Sequence, residues 1–402
     1  MRATTLPLAV TAYTATSALG LGLGAHLDAL GQQRSGLRAN DFGDDPLACW
    51  IGRVAGIEST PLPDEYAQWD CRNNRLAWLG LHQDHFMAAV DAARHRYGAS
   101  RIALLLGTST ASIGATEEGY RRLENDSRLP DDLHRRAIHT PHSLTAFVAA
   151  ALAIGGPCLT ISTACSSSAK VFAGAERLIR LGIVDAAVVG GVDSLCGSVL
   201  YGFNALELVS PEPCRPFDAE RRGISIGEGA GFALLERIGP DTKAASRLLG
   251  CGESSDAHHM STPDPEGLGA ELALRDALDR AAIDVTQVDY INLHGTASQK
   301  NDAMEAALVA RRFPLSTRVS STKALTGHTL GAAGIIEAVI TLLALREDFV
   351  PGNAGATTPD TACSAHFAWR NEARPVRIAL SHSFGFGGSN ACLALASASA
   401  VA

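Results

Sequence analysis

The stretch Leu159–Lys170, LTISTACSSSAK, decides how the rest of the chain is interpreted. Its apolar start, Leu159–Ile161, predicts a buried strand, and apolar residues at helical spacing predict a helix over Ser166–Leu181. Cys165 stands at the junction, where unpaired backbone N–H groups and the helix dipole favour a thiolate. A thiolate attacks acyl carbons, but most free cysteines are small buried residues. This stretch alone leaves both interpretations of Cys165 open.

Composition and charge exclude several classes of protein. The 402 residues are 46% hydrophobic and 19% charged, which is typical of a chain that forms a core. The formal charge is −8 and no Lys/Arg-rich tract offsets it, so nucleic-acid binding is not expected. The nine cysteines include no C-x-x-C pair and no zinc-type grouping with histidine. We therefore expect no metal and a reducing cytoplasm.

The N-terminal segment Met1–Leu27 loosely imitates a signal peptide. Polar residues and spaced glycines interrupt it, so a strand over Leu8–Ala12, followed by a turn and a helix, is the better prediction. No uninterrupted apolar run reaches the length that spans a membrane.

Strands and helices alternate along most of the chain, which predicts an α/β fold with parallel strands covered by helices. The stretch Ile238–Asp241 is the predicted boundary between a half at residues 1–240, which carries Cys165, and a half at residues 241–402. Strands are predicted at Leu8–Ala12, Arg101–Gly107, Leu159–Ile161, Asp185–Gly191, Phe232–Glu236, Tyr290–Leu293, Val319–Ser321, Arg377–Leu380 and Ala391–Leu395. Helices are predicted at Arg75–Tyr97, Thr116–Asn125, Leu144–Ile154, Ser166–Leu181, Ala270–Ala282, Asp302–Arg312 and Leu330–Leu345.

Three further stretches carry unusual polar residues at predicted strand ends. They are YINLHGTASQKND (Tyr290–Asp302), SSTKALTGHTLGAAGIIE (Ser320–Glu337) and SHSFGFGGSN (Ser381–Asn390). Each histidine, lysine or glycine turn in them, taken singly, is more often structural than catalytic. Open α/β sheets place their sites at strand ends, so four such stretches together indicate one site.

The chain resembles the β-ketoacyl synthases, the decarboxylating condensing enzymes of fatty-acid and polyketide assembly. STACSSS, RPFDAERRGISIGEGAG, HGTASQKND, STKALTGHTLGAAG and SFGFGGSN occur in the family's order and span nearly the whole chain. The resemblance implies the thiolase-type fold, two similar α/β halves in a layered α-β-α-β-α arrangement. It also implies a homodimer, or a heterodimer with a related synthase or chain-length-factor subunit.

The resemblance implies a role for each reactive residue. Cys165 would take the acyl chain from an acyl carrier protein, and His294 and His328 would face the malonyl thioester. Neutral imidazoles can donate N–H groups to the enolate that remains after CO₂ leaves. The backbone N–H groups of Cys165 and Phe386 would meet the oxyanion of the condensation step, and Phe386 would also gate the second substrate.

Other positions are assigned by the same resemblance. Lys323 and Glu337 match an ion pair that organises the site, and Thr296 and Ser298 match residues along the phosphopantetheine arm. That arm arrives on the carrier protein, so no bound cofactor is expected. Residues expected to line the acyl channel are Phe203 and Thr110, and those expected to dock the carrier are Arg72 and Arg75.

The chain departs from common fatty-acid synthases after the first histidine. TASQKND replaces the family's T-S-T-P-x-G-D, and the run Asn301–Glu305 is more similar to synthases of aryl-polyene clusters. Three alternatives stay open: a chain-length factor, which lacks the active cysteine; a thiolase, which has a second reactive cysteine near its end; and an unrelated cysteine hydrolase. Cys165, His294 and His328 together favour the synthase.

Overall fold

The computed structural model describes residues 6–123, 128, 131, 134–239, 242 and 246–400. Its strands are β1 (Leu8–Ser17), β2 (Gly20–Leu21), β3 (Leu37–Ala39), β4 (Trp50–Gly52), β5 (Ile102–Gly107), β6 (Cys158–Ile161), β7 (Ala186–Asp193), β8 (Ile226–Gly227), β9 (Gly229–Arg237), β10 (Ser246–Ser255), β11 (Tyr290–Asn292), β12 (Arg318–Ser320), β13 (Phe349–Val350), β14 (Glu372–Ala373), β15 (Ile378–Gly385) and β16 (Ser389–Ser397).

The α-helices are α1 (Gly22–Gly31), α2 (Arg72–Leu81), α3 (Phe86–Tyr97), α4 (Ile113–Arg121), α5 (Ser143–Ala151), α6 (Ser167–Arg180), α7 (Gly197–Ala205), α8 (Leu268–Ala281), α9 (Gln299–Arg312), α10 (Lys323–Thr326) and α11 (Ala333–Glu347). Short 3₁₀ turns include Leu330–Ala332, just before α11, and Phe386–Gly388, between β15 and β16.

The main sheet has the same strand arrangement in both halves. Its order is β12-β11-β15-β16-β10-β1-β9-β7-β5-β6, and β10 and β1 pair only over Leu8–Val10. Outward from that junction, each half shows two antiparallel pairings followed by two parallel ones. The two halves are therefore built on one topology, although the sequence shows no clear repeat.

Two helices form the central layer between the two halves of the main sheet. The helix α6 contacts β5 and β7 on one side and β10 and β16 on the other, while α11 contacts β15, β16, β9 and β1. Every residue of α11 from Ala333 to Leu345 is buried, which explains why its apolar residues follow no single face. Helices α2, α3 and α5 cover the outside of the half-sheet that begins at β1, and α8 and α9 cover the outside of the half-sheet that begins at β10. This is the predicted α-β-α-β-α layering.

Several predicted elements need correction. The predicted helix Arg75–Tyr97 is two helices, because the chain turns at Asp84 and His85, both of which have positive φ. The strand at Leu159 was predicted to be buried, but β6 is an edge strand and Leu159 is 45% exposed. The sequence reading missed β10 and α7. The predicted boundary at Ile238–Asp241 falls partly on residues 240 and 241, which lie outside the described residues, so it stays a prediction.

Within the described part of the chain, no helix combines the length and the apolar character needed to cross a lipid bilayer.

Candidate active site

Cys165 lies in a tight turn between β6 and α6. The preceding residue, Ala164, has a φ of 51°, and α6 begins at Ser167, two residues after the cysteine. The Ser167 hydroxyl accepts a hydrogen bond from the Thr163 backbone N–H at 2.8 Å, which fixes the turn. The thiol therefore lies at the N-terminal end of α6, as the sequence predicted.

His328 reaches Cys165 from the other half of the chain. Its Nε2 atom lies 3.1 Å from the Cys165 Sγ atom. The Nδ1 atom of the same ring accepts a hydrogen bond from the Leu330 backbone N–H at 3.2 Å. Because Nδ1 is an acceptor, the proton of the neutral ring is on Nε2 and points at the sulfur.

His294 follows β11 and completes the group. The ring centroids of His294 and His328 are 5.4 Å apart and nearly perpendicular. The Lys323 Nζ atom lies 3.3 Å from His294 Nδ1, so this ring also carries its proton on Nε2. The Cys165 sulfur and one nitrogen of each histidine all lie within 4.8 Å of one another. The three reactive side chains predicted from separate stretches therefore share one small volume.

Lys323 and Glu337 form the buried ion pair that the resemblance implied. The Lys323 ammonium contacts a Glu337 carboxylate oxygen and the His294 backbone carbonyl, and both side chains are almost fully buried. Burial raises the pKa of Glu337 to about 7, although the Lys323 charge acts in the opposite direction. The pair holds a cation directly behind the His294 ring.

Burial sets the protonation states of the reactive groups. It lowers the pKa of His294 and of His328 well below the usual histidine value, and the Lys323 charge adds to both shifts. Burial also raises the pKa of the Cys165 thiol to about 11, against the opposing effects of the Lys323 charge and the Phe386 N–H. The expectation that the helix end would make Cys165 a resting thiolate is wrong, because desolvation outweighs it.

The glycine-rich turn after β15 supplies a backbone donor. The Phe386 N–H donates toward the Cys165 sulfur. Gly387 and Gly388 have φ values of 76° and 71°, a conformation that side chains disfavour. At Gly385, an added Cβ would lie 3.0 Å from the Thr163 carbonyl oxygen, so glycine allows the close approach.

A cavity of about 590 Å³ leads to these groups. Cys165, His294 and His328 line it, together with Thr296 and Ser298, whose hydroxyl oxygens are 2.9 Å apart. Phe203 and Phe386 also line it, with ring centroids 5.4 Å apart. The positions that the resemblance assigned to substrate therefore open onto the same space, with one exception.

Thr110 is that exception. It lines a separate cavity of about 180 Å³, and its hydroxyl donates to the Asp193 carboxylate at 2.8 Å. We therefore do not assign Thr110 to the channel that reaches Cys165.

The two arginines expected to dock a carrier protein are engaged elsewhere. Arg72 is mostly buried and donates to the buried Glu228 carboxylate, with Nε–Oε2 at 2.9 Å and Nη2–Oε1 at 2.6 Å. Arg75 makes two hydrogen bonds of 2.5 Å to Asp70. These carboxylates neutralise the charge that docking would use. Arg72 and Arg75 therefore do not form the expected cationic patch.

Sequence reasoning missed two buried carboxylates that shape the turn containing His294. Glu305 accepts hydrogen bonds from the backbone N–H groups of His294 and Gly295, both at 2.8 Å. Asp302 accepts from Thr296 and Phe217, at 3.0 and 2.8 Å. Their i, i+3 spacing on α9, directly after the histidine turn, was the available signal.

Within the described ranges, Cys165, His294 and His328 are also the group whose ligand atoms lie close enough together to hold a metal ion. The Lys323 ammonium, 3.3 Å from the His294 ring, opposes a second cation there. These residues fit acyl chemistry better than metal binding.

Comparisons with known proteins agree with this geometry. Residues 80–239 match the family described as beta-ketoacyl synthase, N-terminal domain, and residues 245–357 match the C-terminal domain of the same family. Nodulation protein E of Rhizobium meliloti (strain 1021) is 32% identical over 356 residues, which cover 85% of this chain and 87% of that protein. The 3-oxoacyl-(acyl-carrier-protein) synthase 2 of the same strain is 39% identical over 259 residues, covering 60% of this chain and 61% of that one.

A solved structure extends the likeness over the whole chain. It is the ketosynthase (ApeO) in complex with its chain length factor (ApeC) from Xenorhabdus doucetiae. The match has 37% identity and a TM-score of 0.88, and covers 98% of each chain. The chain belongs to the beta-ketoacyl synthase family and has the thiolase-type fold. It is an enzyme of the acyltransferase class that joins acyl units by condensation.

Proposed function

We propose that this chain elongates an acyl chain bound to Cys165 by decarboxylative Claisen condensation with a malonyl unit on a carrier protein. The single observation that supports it is that ligand atoms of Cys165, His294 and His328 lie within 4.8 Å of one another in the lining of one cavity. Each remaining group then has a place in a three-step reaction.

The first step loads the enzyme. The Cys165 sulfur attacks the carbonyl carbon of an acyl thioester, the new S–C bond replaces the old one, and the carrier thiol leaves with the proton. Because burial keeps the resting thiol neutral, the anion needs support while it forms. The Nε2–H of His328 and the backbone N–H of Phe386 are the donors that face the sulfur.

The second step generates the carbon nucleophile. The bond between the malonyl carboxylate and its α-carbon breaks, CO₂ departs, and the electron pair moves into the thioester as an enolate. Nε2–H groups of His294 and His328 donate to the enolate oxygen. Both rings are neutral because their pKa values are lowered, so they offer donors without a strong acid that would quench the carbanion.

The third step forms the new carbon–carbon bond. The α-carbon attacks the acyl carbonyl on Cys165, and the N–H groups of Cys165 and Phe386 stabilise the tetrahedral oxyanion. Collapse of this intermediate releases a β-ketoacyl thioester and the Cys165 thiolate, which takes a proton from solvent. The phosphopantetheine arm would enter along Thr296 and Ser298, on the carrier protein rather than as a resident cofactor.

The carrier protein would meet the enzyme at the mouth of the cavity. Two exposed cationic side chains, Arg222 and Lys300, line this cavity. Arg222 also pairs with Glu212 at 3.1 Å. Lys300 stands where common fatty-acid synthases have the variable position of T-S-T-P-x-G-D. We propose that the acidic carrier protein docks on these two cationic side chains and not on Arg72 and Arg75.

A second thiolase-type subunit would cover the edge strand β6, where Leu159 is exposed. It would be another copy of this chain or a related subunit, as in the ApeO complex with its chain length factor. The nine cysteines are all free, which fits a cytoplasmic location. The pathway would be fatty-acid elongation or aryl-polyene or polyketide elongation.

The test separates decarboxylation from condensation. Cys165→Gln should still release CO₂ from malonyl-carrier protein but form no β-ketoacyl product, whereas His294→Ala should lose CO₂ release. If the Cys165→Gln protein releases no CO₂, or if His294→Ala releases it at the wild-type rate, the assigned roles are wrong. Condensation that survives Cys165→Gln would show that Cys165 is not the nucleophile. If it survives only when a related synthase subunit is present, it would favour a chain-length-factor role for this chain.

A further inference from the structure

Asp193, at the end of β7, is fully buried and surrounded by donors. Its carboxylate accepts hydrogen bonds from the Thr108 hydroxyl at 2.6 Å, the Ser109 N–H and hydroxyl at 2.9 and 2.5 Å, and the Thr110 N–H and hydroxyl at 2.9 and 2.8 Å. All of these come from the turn after β5, in the half that carries Cys165. One further donor, the Gly331 backbone N–H at 2.5 Å, comes from the other half.

Gly331 belongs to the segment that sets the position of His328. It lies three residues after the histidine, and the intervening Leu330 N–H donates to the His328 ring. A Cβ added at Gly331 would lie 2.6 Å from an Asp193 oxygen and 2.8 Å from the Ser109 nitrogen, closer than real Cβ atoms approach. The turn is therefore pressed directly against the Asp193 carboxylate.

We propose that Asp193 is a positioning residue, which anchors the segment His328–Gly331 to the half that carries the nucleophile and so keeps His328 Nε2 within hydrogen-bond distance of the Cys165 sulfur. Its consequence for catalysis rests on the proposed function. The anchoring itself rests only on the contacts of Asp193 and Gly331.

The chemistry of the surrounding groups explains why the anchor is a carboxylate. The partners named above all donate, and an ionised carboxylate offers acceptor sites on both oxygens. An amide of the same shape would turn an NH₂ group toward donors on one side. Asp193→Asn therefore removes an anchor while keeping the volume of the side chain.

The test uses the intact protein and three variants. Asp193→Asn removes the anchor. Ser109→Ala is milder, since the Ser109 hydroxyl donates to Asp193 and also accepts from Gly331 at 3.3 Å. Glu117→Gln is the matched control, because Glu117 accepts from the backbone N–H groups of Gly197 and Ser198 at the start of α7 and not from the segment His328–Gly331.

The primary readout is the pH dependence of Cys165 alkylation by iodoacetamide, followed by peptide mass spectrometry. Losing the His328 donor should raise the pH needed for a given alkylation rate by about one unit in Asp193→Asn, and by less in Ser109→Ala. The Glu117→Gln profile should match wild type. The kcat for CO₂ release from malonyl-carrier protein should fall about 10–100-fold in Asp193→Asn, with KM little changed.

An unchanged alkylation profile in folded Asp193→Asn, or in Ser109→Ala if Asp193→Asn does not fold, would overturn the proposal. A shift of equal size in the alkylation profile of Glu117→Gln would also overturn it, because the shift would then not depend on the anchor at Asp193. Alkylation needs no malonyl substrate, so the two proposals fail separately. Absence of CO₂ release by the wild-type protein would count against the proposed function and leave the alkylation result to decide the role of Asp193.

Discussion

The Nε2 atom of His328 lies 3.1 Å from the Cys165 sulfur, although 163 residues separate them in the chain. The contact joins the start of α6 to the segment before α11, the two helices that pack between the sheets. The buried interior of the duplicated fold is therefore also where its reactive groups meet. All three side chains are buried, so the pKa of the thiol is raised, the pKa values of both imidazoles are lowered, and the neutral form of each group is favoured.

The first prediction concerns the reactivity of the thiol. Burial raises the pKa of Cys165 to about 11, so the thiolate fraction should increase about tenfold for each pH unit between 7 and 10. Iodoacetamide labelling of the Cys165 peptide should follow this slope. A labelling rate that levels off near pH 8 would show that the resting residue is an anion. Cys165→Ser identifies labelling at other cysteines.

The second prediction concerns the two imidazoles. Their pKa values are lowered well below the usual histidine value, so neither ring should become protonated between pH 8 and pH 6. Nitrogen-15 NMR of histidine-labelled protein should show two rings held as the Nε2–H tautomer across this range. His294→Ala and His328→Ala assign the signals. A midpoint near 6.5 for either ring would contradict the arrangement of donors proposed above.

The positions of the reactive residues at strand ends could be predicted from sequence, whereas the state of the thiol could not. Strand and helix periodicity located the turns that hold Cys165, His294 and Lys323. A helix dipole can be inferred from local sequence, but the desolvation that outweighs it at Cys165 depends on helices and loops contributed by both halves. The expected direction of the pKa was therefore wrong.

The wrong expectation for Arg72 and the missed strand β10 have related causes. Arg72 was expected to be available on a helix face, but its partner Glu228 is 156 residues away, and no local pattern reveals such a pair. The strand β10 contains Gly and Ser residues that weaken its local signal. It forms because it pairs with β1 on one side and β16 on the other. Tertiary pairing outweighs intrinsic propensity at this position.

The third prediction concerns the buried pair Lys323–Glu337. Removing Lys323 leaves the Glu337 carboxyl buried without its partner, so Lys323→Met should lower the free energy of unfolding at pH 8 by about 3–5 kcal/mol. The double variant Lys323→Met/Glu337→Leu should recover much of that loss but not the activity. Urea denaturation of the three proteins measures the stability difference.

The pH dependence of the same variant provides an independent check. The folded-state pKa of Glu337 is raised to about 7, above its unfolded value of about 4.5, and the loss of Lys323 removes an effect that lowers it. Below the unfolded pKa, the carboxyl is protonated in both states and its full contribution to the free energy of unfolding is present. As pH rises toward and through the folded pKa, the unfolded state ionises more readily than the folded state, so this contribution is lost. Lys323→Met should therefore be more stable at pH 5.5 than at pH 8. Equal stability at both values would mean that Glu337 is solvated.

The fourth prediction concerns carrier docking. Lys300 is exposed and lines the mouth of the cavity that contains Cys165. Reversing its charge should weaken an acidic carrier at this position, so Lys300→Glu should raise KM for malonyl-carrier protein about tenfold and change kcat little. The effect should decrease as salt is added. Arg370→Glu is the control, because it changes the net charge equally at a separate cavity lined by Trp369 and Gln33. If both variants raise KM to the same extent, the carrier responds to the overall charge of the protein and Lys300 is not part of its docking site.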